Sequence, residues 1–373
     1  MGEAYLYDAV HTPRGKRGGS LADVHPVDLL TVPLNEVLSR NSVPTDQVDD
    51  VVIGCVSQAG EQGGCIARSA ILAAGLPISV PGVSLDRFCG SGLQAVLNAS
   101  MAVQSGQMDL VIAGGVESMT RQPIGSSWAA LPDSMTSRFD LCSQYEAADR
   151  IASKWGFSRK DCDEFGAASQ EKARIAWEEG RFAKELVAVP GKLDRDEHMR
   201  PGTTVEKLSG LNPLAEGGTI TAGHSSGVVD RAATVLVGSL AKGKELGLTP
   251  RARIAAMDVC GSDPEIMLTG PIDATQRLLK KAGITAADVD LAEVNEAFAT
   301  VPMAWLAETG IDPDCLNVNG GAIALGHPLG ATGAILTATI LNELERRDAR
   351  YGVIAICMGY GMGIAALIDR DVH

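Results

Sequence analysis

Short apolar runs alternate along the chain with longer segments whose apolar positions recur at helical spacing. In the first half, residues 26–55 read as a helix, a turn and a buried strand, and residues 271–299 repeat that order after the same Pro-x-Asp opening. The helix and strand of residues 92–115 have their counterpart in residues 326–357. Equivalent segments stay close to 240 residues apart, which indicates an internal duplication.

The same pattern predicts the fold class. Strands of consecutive Val, Ile and Leu residues that alternate with helices are typical of parallel sheets covered on both faces. We therefore predict an α/β protein in which two similar halves, residues 1–117 and 251–373, pack as a pseudo-dimer. Residues 118–250 are more charged and irregular, and we interpret them as an inserted loop domain that binds ligand.

Two reactive side chains occupy equivalent strand-to-helix junctions of these halves. Cys89 lies in VSLDRFCGSGLQAV, where a strand-like segment runs into a helix, and His327 lies at the matching place, directly before Pro328. Proline suits a first helical turn and disfavours helical backbone at the preceding residue, so His327 is expected just outside its helix. For Cys89, a helix N-terminus favours the thiolate. The repeat therefore predicts a cysteine and a histidine near the pseudo-twofold axis.

Two more candidates follow strands of the second half. Asn295 comes directly after the strand LAEV, and Cys357 ends the strand VIAIC. Because ligands of parallel α/β sheets bind at the carboxyl ends of strands, we expect both residues beside Cys89 and His327. A nucleophile next to its base indicates catalysis, whereas a buried structural side chain is the alternative for each residue taken alone.

Glycines follow the last of these strands. Gly359, Gly361 and Gly363 are expected to leave the backbone N–H groups after Cys357 uncovered. Main-chain donors of this kind are what an oxyanion site requires.

The composition limits the possible ligands and locations. The 373 residues carry a formal net charge of −14, which argues against binding along nucleic acid and requires a local basic cluster for any anionic ligand. Eight cysteines without a CxxC pair and six scattered histidines predict free thiols and no metal site. The N-terminus lacks an apolar signal core, and no apolar run is long enough to span a membrane. We therefore expect a soluble cytoplasmic protein with neither nucleic-acid nor membrane partners.

Four motifs carry a resemblance to a known family. They are CGSGLQA from residue 89, NEAFA from residue 295, NVNGGAIALGHPLGATG from residue 317 and CMGYGMG from residue 357. In this order they resemble the motifs of the thiolase family, the acetyl-CoA acyltransferases, and the similarity extends over nearly the whole chain. The resemblance implies a thiolase fold, with two βαβαβ-type halves in five layers, αβαβα, and an inserted loop domain.

The resemblance also implies a role for each candidate residue. Cys89 would be the nucleophile that becomes acylated, and His327 the base that activates it. Cys357 would be a second acid and base near neutral pH, protonating the acetyl-CoA enolate and later taking a proton from the incoming thiol of coenzyme A (CoA). Asn295 would hold a water that forms one oxyanion hole with His327, and the backbone N–H groups of Cys89 and Gly359 would form the other.

The implied reaction is the thiolytic cleavage of a 3-ketoacyl-CoA to acetyl-CoA and a shortened acyl-CoA, or the reverse Claisen condensation. Arg200, Ala222 and Ser226 match family positions that contact CoA, which would be a substrate and not a permanently bound cofactor. The family further implies a homodimer or homotetramer and a place in lipid metabolism, such as fatty acid β-oxidation.

Several positions depart from the usual family pattern. His224 and Arg231 replace an asparagine and a glycine, Tyr360 replaces a glycine, and the bulky Phe88 directly precedes the nucleophile. Residues 142–150 stand in place of the Met-Gly-x-Thr-Ala-Glu stretch of short-chain biosynthetic thiolases, which helps to shape the acyl pocket. We therefore expect an acyl group that is longer, branched or ring-bearing.

Two alternatives to a thiolase remain at this point. One is a condensing synthase of the same fold, a class that generally has histidine or asparagine where this chain has Cys357. The other is a non-catalytic carrier of acyl-CoA or lipid, which would bind its ligand without acylation of Cys89.

Overall fold

The computed structural model describes residues 2–372, and within them no helix combines the length and apolar character needed to cross a membrane. The strands are β1 (Tyr5–His11), β2 (Gly15–Lys16), β3 (Asp50–Gly54), β4 (Gly82–Leu85), β5 (Leu110–Ser118), β6 (Val229–Gly238), β7 (Ala252–Gly261), β8 (Leu291–Val294), β9 (Tyr351–Met358) and β10 (Met362–Asp369). The α-helices are α1 (Pro26–Ser39), α2 (Ile66–Ala73), α3 (Ser91–Gln104), α4 (Asp133–Thr136), α5 (Gln144–Trp155), α6 (Arg159–Glu178), α7 (Val205–Ser209), α8 (Leu240–Leu246), α9 (Gly270–Ala282), α10 (Thr300–Thr309), α11 (Ala322–Leu325) and α12 (Thr332–Arg347).

The predicted duplication is confirmed by the strand order β4-β3-β5-β6-β1-β7-β10-β9-β8. In the first half the parallel pair β3 and β5 is followed by antiparallel β6, and in the second half the parallel pair β8 and β9 is followed by antiparallel β10. The sheets of the two halves are joined by a short pairing of Tyr5 and Leu6 in β1 with Arg253 and Ala252 in β7. Each half therefore carries its own sheet, and the two sheets are continuous at one edge.

The prediction of parallel sheets was too broad, because β1, β6, β7 and β10 run antiparallel to their neighbours. A run of apolar residues reports that a strand is buried on both faces, and both kinds of sheet allow this. The connection decides the direction. The turn of residues 359–361 between β9 and β10 is too short for the crossover that a parallel pair needs.

The layers follow from the burial of both strand faces. Helices α3 and α12 pack against each other between the sheets, whereas α1 and α2 cover the outside of the first sheet and α9 and α10 lie outside the second. In β5, Val111 and Ala113 join the central core, and Leu110 and Ile112 join the outer core under α1. The five-layer αβαβα arrangement predicted from the family resemblance is therefore confirmed.

The two central helices approach most closely at their N-terminal ends. A Cβ atom on Gly92 would collide with the backbone of Gly330, and one on Gly333 would collide with the backbone of Leu93. Gly92 and Gly333 are equivalent positions of the repeat, so the helix starts meet across the pseudo-twofold axis. This contact brings the residues before each helix, Cys89 and His327, to the same region.

The inserted segment is shorter than the range 118–250 that the sequence indicated. Strand β6 lies within that range, yet it pairs with β5 and β1 along nearly its whole length. The inserted residues therefore lie between Ser118 and Val229, and the first half includes β6. The polar pair Asp230-Arg231 near the start of β6 is untypical of a buried strand, so the sequence pattern did not indicate one there. In the structure both side chains are buried.

Candidate active site

The four predicted reactive side chains lie at strand ends and helix starts. Asn295 directly follows β8, whose parallel register with β9 places Val294 opposite Ala355, two residues before Cys357. Cys89 lies between β4 and α3, and His327 lies between α11 and α12, outside both helices as predicted. All four side chains are buried, with exposed fractions between 1% and 5%.

Direct contacts join the loop of Cys89 to the turn after Cys357. The Gly90 backbone packs against the Met358 side chain, and a Cβ atom on Gly359 would lie 3.4 Å from the Phe88 ring. The Phe88 and Tyr360 rings meet edge to face with their centroids 5.4 Å apart. The two thiols are therefore neighbours, and two of the departures from the family pattern contact each other beside them.

His327 is held by hydrogen bonds that define its tautomer. The Thr332 hydroxyl donates to the Pro328 carbonyl at 3.1 Å, so its lone pair is free to accept from Nδ1 of His327 at 2.6 Å. Nδ1 then carries the proton, and Nε2 keeps a lone pair 3.3 Å from Nδ2 of Asn295. The arrangement leaves Nε2 able to act as a base.

A buried carboxylate of the first half holds the loop that follows His327. Glu117, at the end of β5, accepts hydrogen bonds from the backbone N–H groups of Val56, Ser57 and Gly330 and from the Gln62 side chain, at 2.9 to 3.0 Å. Burial raises the pKa of Glu117, and these donors oppose that shift. The loop after His327 in one half is therefore positioned in part by the other half.

The expected thiolate at Cys89 is not supported. Burial and the nearby Cys357 raise the pKa of Cys89 well above its usual range, and burial raises the pKa of Cys357 to about 12. The N–H groups of Gly90 and Ser91, where α3 begins, donate to the carbonyls of Arg87 and Phe88 and not to the thiol, and only the Cys89 backbone N–H opposes the effect of burial. Burial also lowers the pKa of His327 to about 4. Both thiols and the imidazole are therefore neutral in the free protein at pH 7.

Two backbone amides beside the thiols are unpaired. Among residues 2–372, neither Cys89 nor Gly359 donates its backbone N–H to another residue. The other two glycines serve packing, since a Cβ atom on Gly361 would collide with Ser262 and Asp263, and one on Gly363 would collide with Gly270. Within residues 2–372 the Gly361 N–H also donates to no other residue, whereas Gly363 lies inside β10, so the expectation of uncovered donors is met by Gly359 and Gly361.

A separate cavity of about 570 Å³ contains the three predicted CoA contacts, Arg200, Ala222 and Ser226. Four cationic side chains line it, and the described part of its wall includes no carboxylate; the cations belong to Lys16, Arg17, Arg200 and Lys207. This cluster supplies the local positive charge that an anionic ligand requires on a chain of net charge −14.

One short segment, residues 225–228, connects this cavity to the reactive side chains. Its residues line the cavity, while the Ser226 N–H donates to Ala297 and the Gly227 carbonyl accepts from the His327 N–H at 2.9 Å. The His198 ring packs directly on Gly227. The cavity wall and the loops of Asn295 and His327 therefore share backbone contacts.

The departures His224 and Arg231 serve the framework. His224 accepts from the Thr221 N–H at 3.3 Å and lies 3.5 Å from Asp163, and burial lowers its pKa to about 4. The fully buried Arg231 guanidinium donates to the Thr12 carbonyl at 2.6 Å and also contacts His11. These contacts join the insert and β6 to their neighbours.

Sequence reasoning missed three residues of the site: Thr332, Glu117 and Gly227. Glu117 left a usable signal, because this acidic residue follows seven strand residues that are all apolar or glycine. Thr332 stands five residues after His327, at the start of a helix. The sequence around Gly227 gives no comparable signal, since the role of this residue depends on two backbone hydrogen bonds to distant segments.

Comparison with known proteins agrees with this geometry. Residues 4–241 match the family described as thiolase, N-terminal domain, and residues 248–370 match thiolase, C-terminal domain. The chain is 44% identical to the steroid 3-ketoacyl-CoA thiolase of Mycobacterium tuberculosis, over 99% of this chain and 95% of that protein. It is 42% identical to the 3-oxoadipyl-CoA/3-oxo-5,6-dehydrosuberyl-CoA thiolase of Escherichia coli, over 99% and 100%, and 43% identical to the acetyl-CoA acetyltransferase of Thiocystis violacea, over 98% of each. The chain belongs to the thiolase family.

Proposed function

We propose that this protein is an acetyl-CoA C-acyltransferase that transfers an acyl group between Cys89 and CoA. The observation that carries the proposal is the convergence of two buried thiols, a neutral imidazole and two unpaired backbone amides. A buried amide without an acceptor is costly in a resting protein, so its presence beside a nucleophile favours a site for a developing oxyanion.

The first half-reaction begins with the neutral pair of Cys89 and His327. On approach of a 3-ketoacyl-CoA, the thiol proton moves to Nε2 of His327, and Thr332 stabilises the imidazolium through Nδ1. Sulfur attacks the 3-keto carbon, and the N–H groups of Cys89 and Gly359 receive the oxyanion. Cleavage of the C2–C3 bond leaves the acetyl-CoA enolate. Asn295 and His327 stabilise this enolate, and the Cys357 thiol protonates it.

The second half-reaction uses the same groups in reverse. The Cys357 thiolate takes the proton of an incoming CoA thiol, whose sulfur attacks the acyl-Cys89 thioester. The two amides again hold the oxyanion, and the departing Cys89 sulfur recovers its proton from His327. Since the pKa of Cys357 is about 12 in the free protein, its thiolate is a strong base during this step.

We propose an apolar, ring-bearing acyl group and a degradative direction. The Phe88 and Tyr360 rings form an apolar wall beside the thiols, and both residues hold positive φ angles of 46° and 58°. Such backbone strain at bulky residues is retained where a site requires it. The relative from Mycobacterium tuberculosis is named for steroid 3-ketoacyl-CoA, which agrees with this choice.

The test is intact-protein mass spectrometry after brief mixing with 3-ketoacyl-CoA substrates in the absence of free CoA. The panel contains unbranched, ring-bearing and terminally carboxylated acyl groups. We expect an acyl adduct on Cys89 that disappears when CoA is added, is absent from Cys89→Ala and is largest for ring-bearing groups. Binding without any adduct would favour the carrier alternative, and the largest adduct from a carboxylated group would contradict the proposed substrate.

The other alternative, a condensing synthase, is disfavoured by Cys357, a residue able to exchange protons with CoA.

We further propose that the enzyme acts in the cytoplasm in acyl-CoA breakdown, including fatty acid β-oxidation, as a homodimer or homotetramer. Multi-angle light scattering of the purified protein tests the assembly, and a monomer at micromolar concentration would contradict it.

A further inference from the structure

A small cavity of about 20 Å³ lies between the end of β8, the start of α12 and the loop of residues 320–328. Its polar lining is contributed by Arg14, Glu293, Asn295, Thr332 and Thr339. Of the four reactive residues in the described chain, only Asn295 borders it. The cavity is therefore distinct from the space in which the acyl group reacts.

Three buried side chains of this lining have hydrogen-bonding capacity that residues 2–372 do not satisfy. Nε of Arg14 is a donor without an acceptor, and Oδ1 of Asn295 is an acceptor without a donor. The Glu293 carboxyl group is buried, with an exposed fraction of 3%, and only its burial and nearby charges act on it. Buried polar groups are almost always paired with protein or with ordered water.

The size and chemistry of the cavity fit a single water molecule. One water needs about 10–15 Å³ of accessible volume and two to four polar partners. Burial and the neighbouring Glu296, Glu185 and Glu343 raise the pKa of Glu293 well above its usual range, and Lys172 opposes them. This shift favours the protonated form of Glu293, which offers both a donor and an acceptor.

Glu293 and Asn295 also have the right relation along the chain. They are two residues apart at the end of β8, and side chains at that spacing leave a strand on the same side. A water between them can donate to Oδ1 of Asn295 while it accepts from Nε of Arg14 or from the Glu293 carboxyl group.

We propose that this cavity holds one ordered water that joins Glu293 to the amide oxygen of Asn295, and that Glu293 is thereby a positioning residue for Asn295. With Oδ1 held toward the cavity, Nδ2 points toward Nε2 of His327. A reversed amide would place an oxygen against the lone pair of the base. This inference rests on the proposed function, in which Asn295 and His327 act on the enolate.

Two substitutions and one control test this role in the full-length protein. Glu293→Leu removes the polar partner, and we expect kcat to fall roughly tenfold with KM for CoA unchanged, because one buried hydrogen bond is lost. Glu293→Gln keeps a neutral donor and acceptor, and it should retain kcat within about twofold. Leu336→Met changes an apolar residue of the same lining and should leave kcat at the wild-type value.

A crystal structure of the wild type at about 1.5 Å resolution supplies a test independent of the variants. We expect an ordered water within hydrogen-bond distance of Oδ1 of Asn295 and the Glu293 carboxyl group. A cavity without that water, a wild-type kcat in Glu293→Leu, or an equal loss in Glu293→Gln would overturn the proposal. If Glu293→Leu does not fold, the crystal structure and the kcat of Glu293→Gln decide whether Glu293 positions Asn295 through a water. Absence of an acyl adduct in the wild type would instead refute the proposed function.

Discussion

The two strand-to-helix junctions of the repeat have the same architecture but are held in place differently. The Cys89 junction is built from its own residues. Asp86 accepts from the Phe88 N–H at 2.7 Å, and the Ser91 hydroxyl accepts from Arg87 and donates to Phe88. Every one of these partners lies within five residues of the nucleophile.

The His327 junction depends on distant segments. Gly227 of the insert accepts the His327 N–H, and Glu117 of the first half accepts the Gly330 N–H. The imidazole has a near partner in Thr332 and a second neighbour, Asn295, from another strand. Cys89, the proposed nucleophile, is therefore placed by a local turn, whereas His327, the proposed base, is placed by the assembled fold.

The largest effect is expected when the proposed nucleophile alone is removed. Cys89→Ala deletes the sulfur and leaves the local turn intact, so we expect turnover to fall at least roughly 10³-fold with every 3-ketoacyl-CoA. Thermal unfolding should change little. Release of acetyl-CoA, followed by chromatography, measures the effect, and substantial residual activity would show that another group is acylated.

Removal of the base should have the next largest effect. His327→Asn is expected to lower kcat/KM by about 10²-fold or more, the usual contribution of a general base. In the wild type, His327 must be unprotonated, so kcat/KM should fall only as the pH drops toward about 4. A fall centred near pH 6.5 would contradict the buried, neutral imidazole.

The link between the junctions can be tested at Glu117. Glu117→Gln places an NH₂ group among four N–H donors, which should cost about 1–3 kcal/mol of stability. We expect a lower Tm and a several-fold lower kcat, because the loop after His327 loses an anchor. Glu164→Gln, at an exposed ion pair with Lys160, is the matched control and should behave as wild type.

The smallest effect concerns a second buried histidine, remote from the thiols. The pKa of His224 is lowered to about 4 in the folded protein, chiefly by burial, so between pH 6.5 and pH 4 the unfolded chain binds its proton and the folded chain does not. The wild type therefore loses stability as pH falls through this range. Relative to wild type, His224→Asn should gain about 1–2 kcal/mol between pH 7 and pH 5 in urea unfolding. An unchanged difference would show that folding does not lower the pKa of His224.

Features of the site that depend on local sequence could be predicted, whereas those that depend on the assembled fold could not. The sequence could predict the places of Cys89, Asn295, His327 and Cys357 because they follow apolar strands or precede helices, and those boundaries are local features. Their protonation was predicted less well, since the burial that raises the pKa of Cys89 appears only in the assembled structure.

The fold shows a comparable limit. The repeat and the layers were predicted from helices and strands that recur in order, whereas β6 was assigned to the insert because its partners, β1 and β5, are far away in sequence. Glu117 and Gly227 were missed for the same reason. Hydrogen bonds that cross between segments leave no periodic pattern for a sequence to display.

The position of β6 has a consequence for the growing chain on the ribosome. The 110 residues from 119 to 228 separate β6 from β5, and at about 5–20 residues per second their synthesis takes roughly 5 to 20 s. During that interval β5 has one unpaired edge, which is a hazard for aggregation. The inserted segment contributes most residues of the basic cavity wall. Its length therefore also determines the time between synthesis of β5 and synthesis of β6.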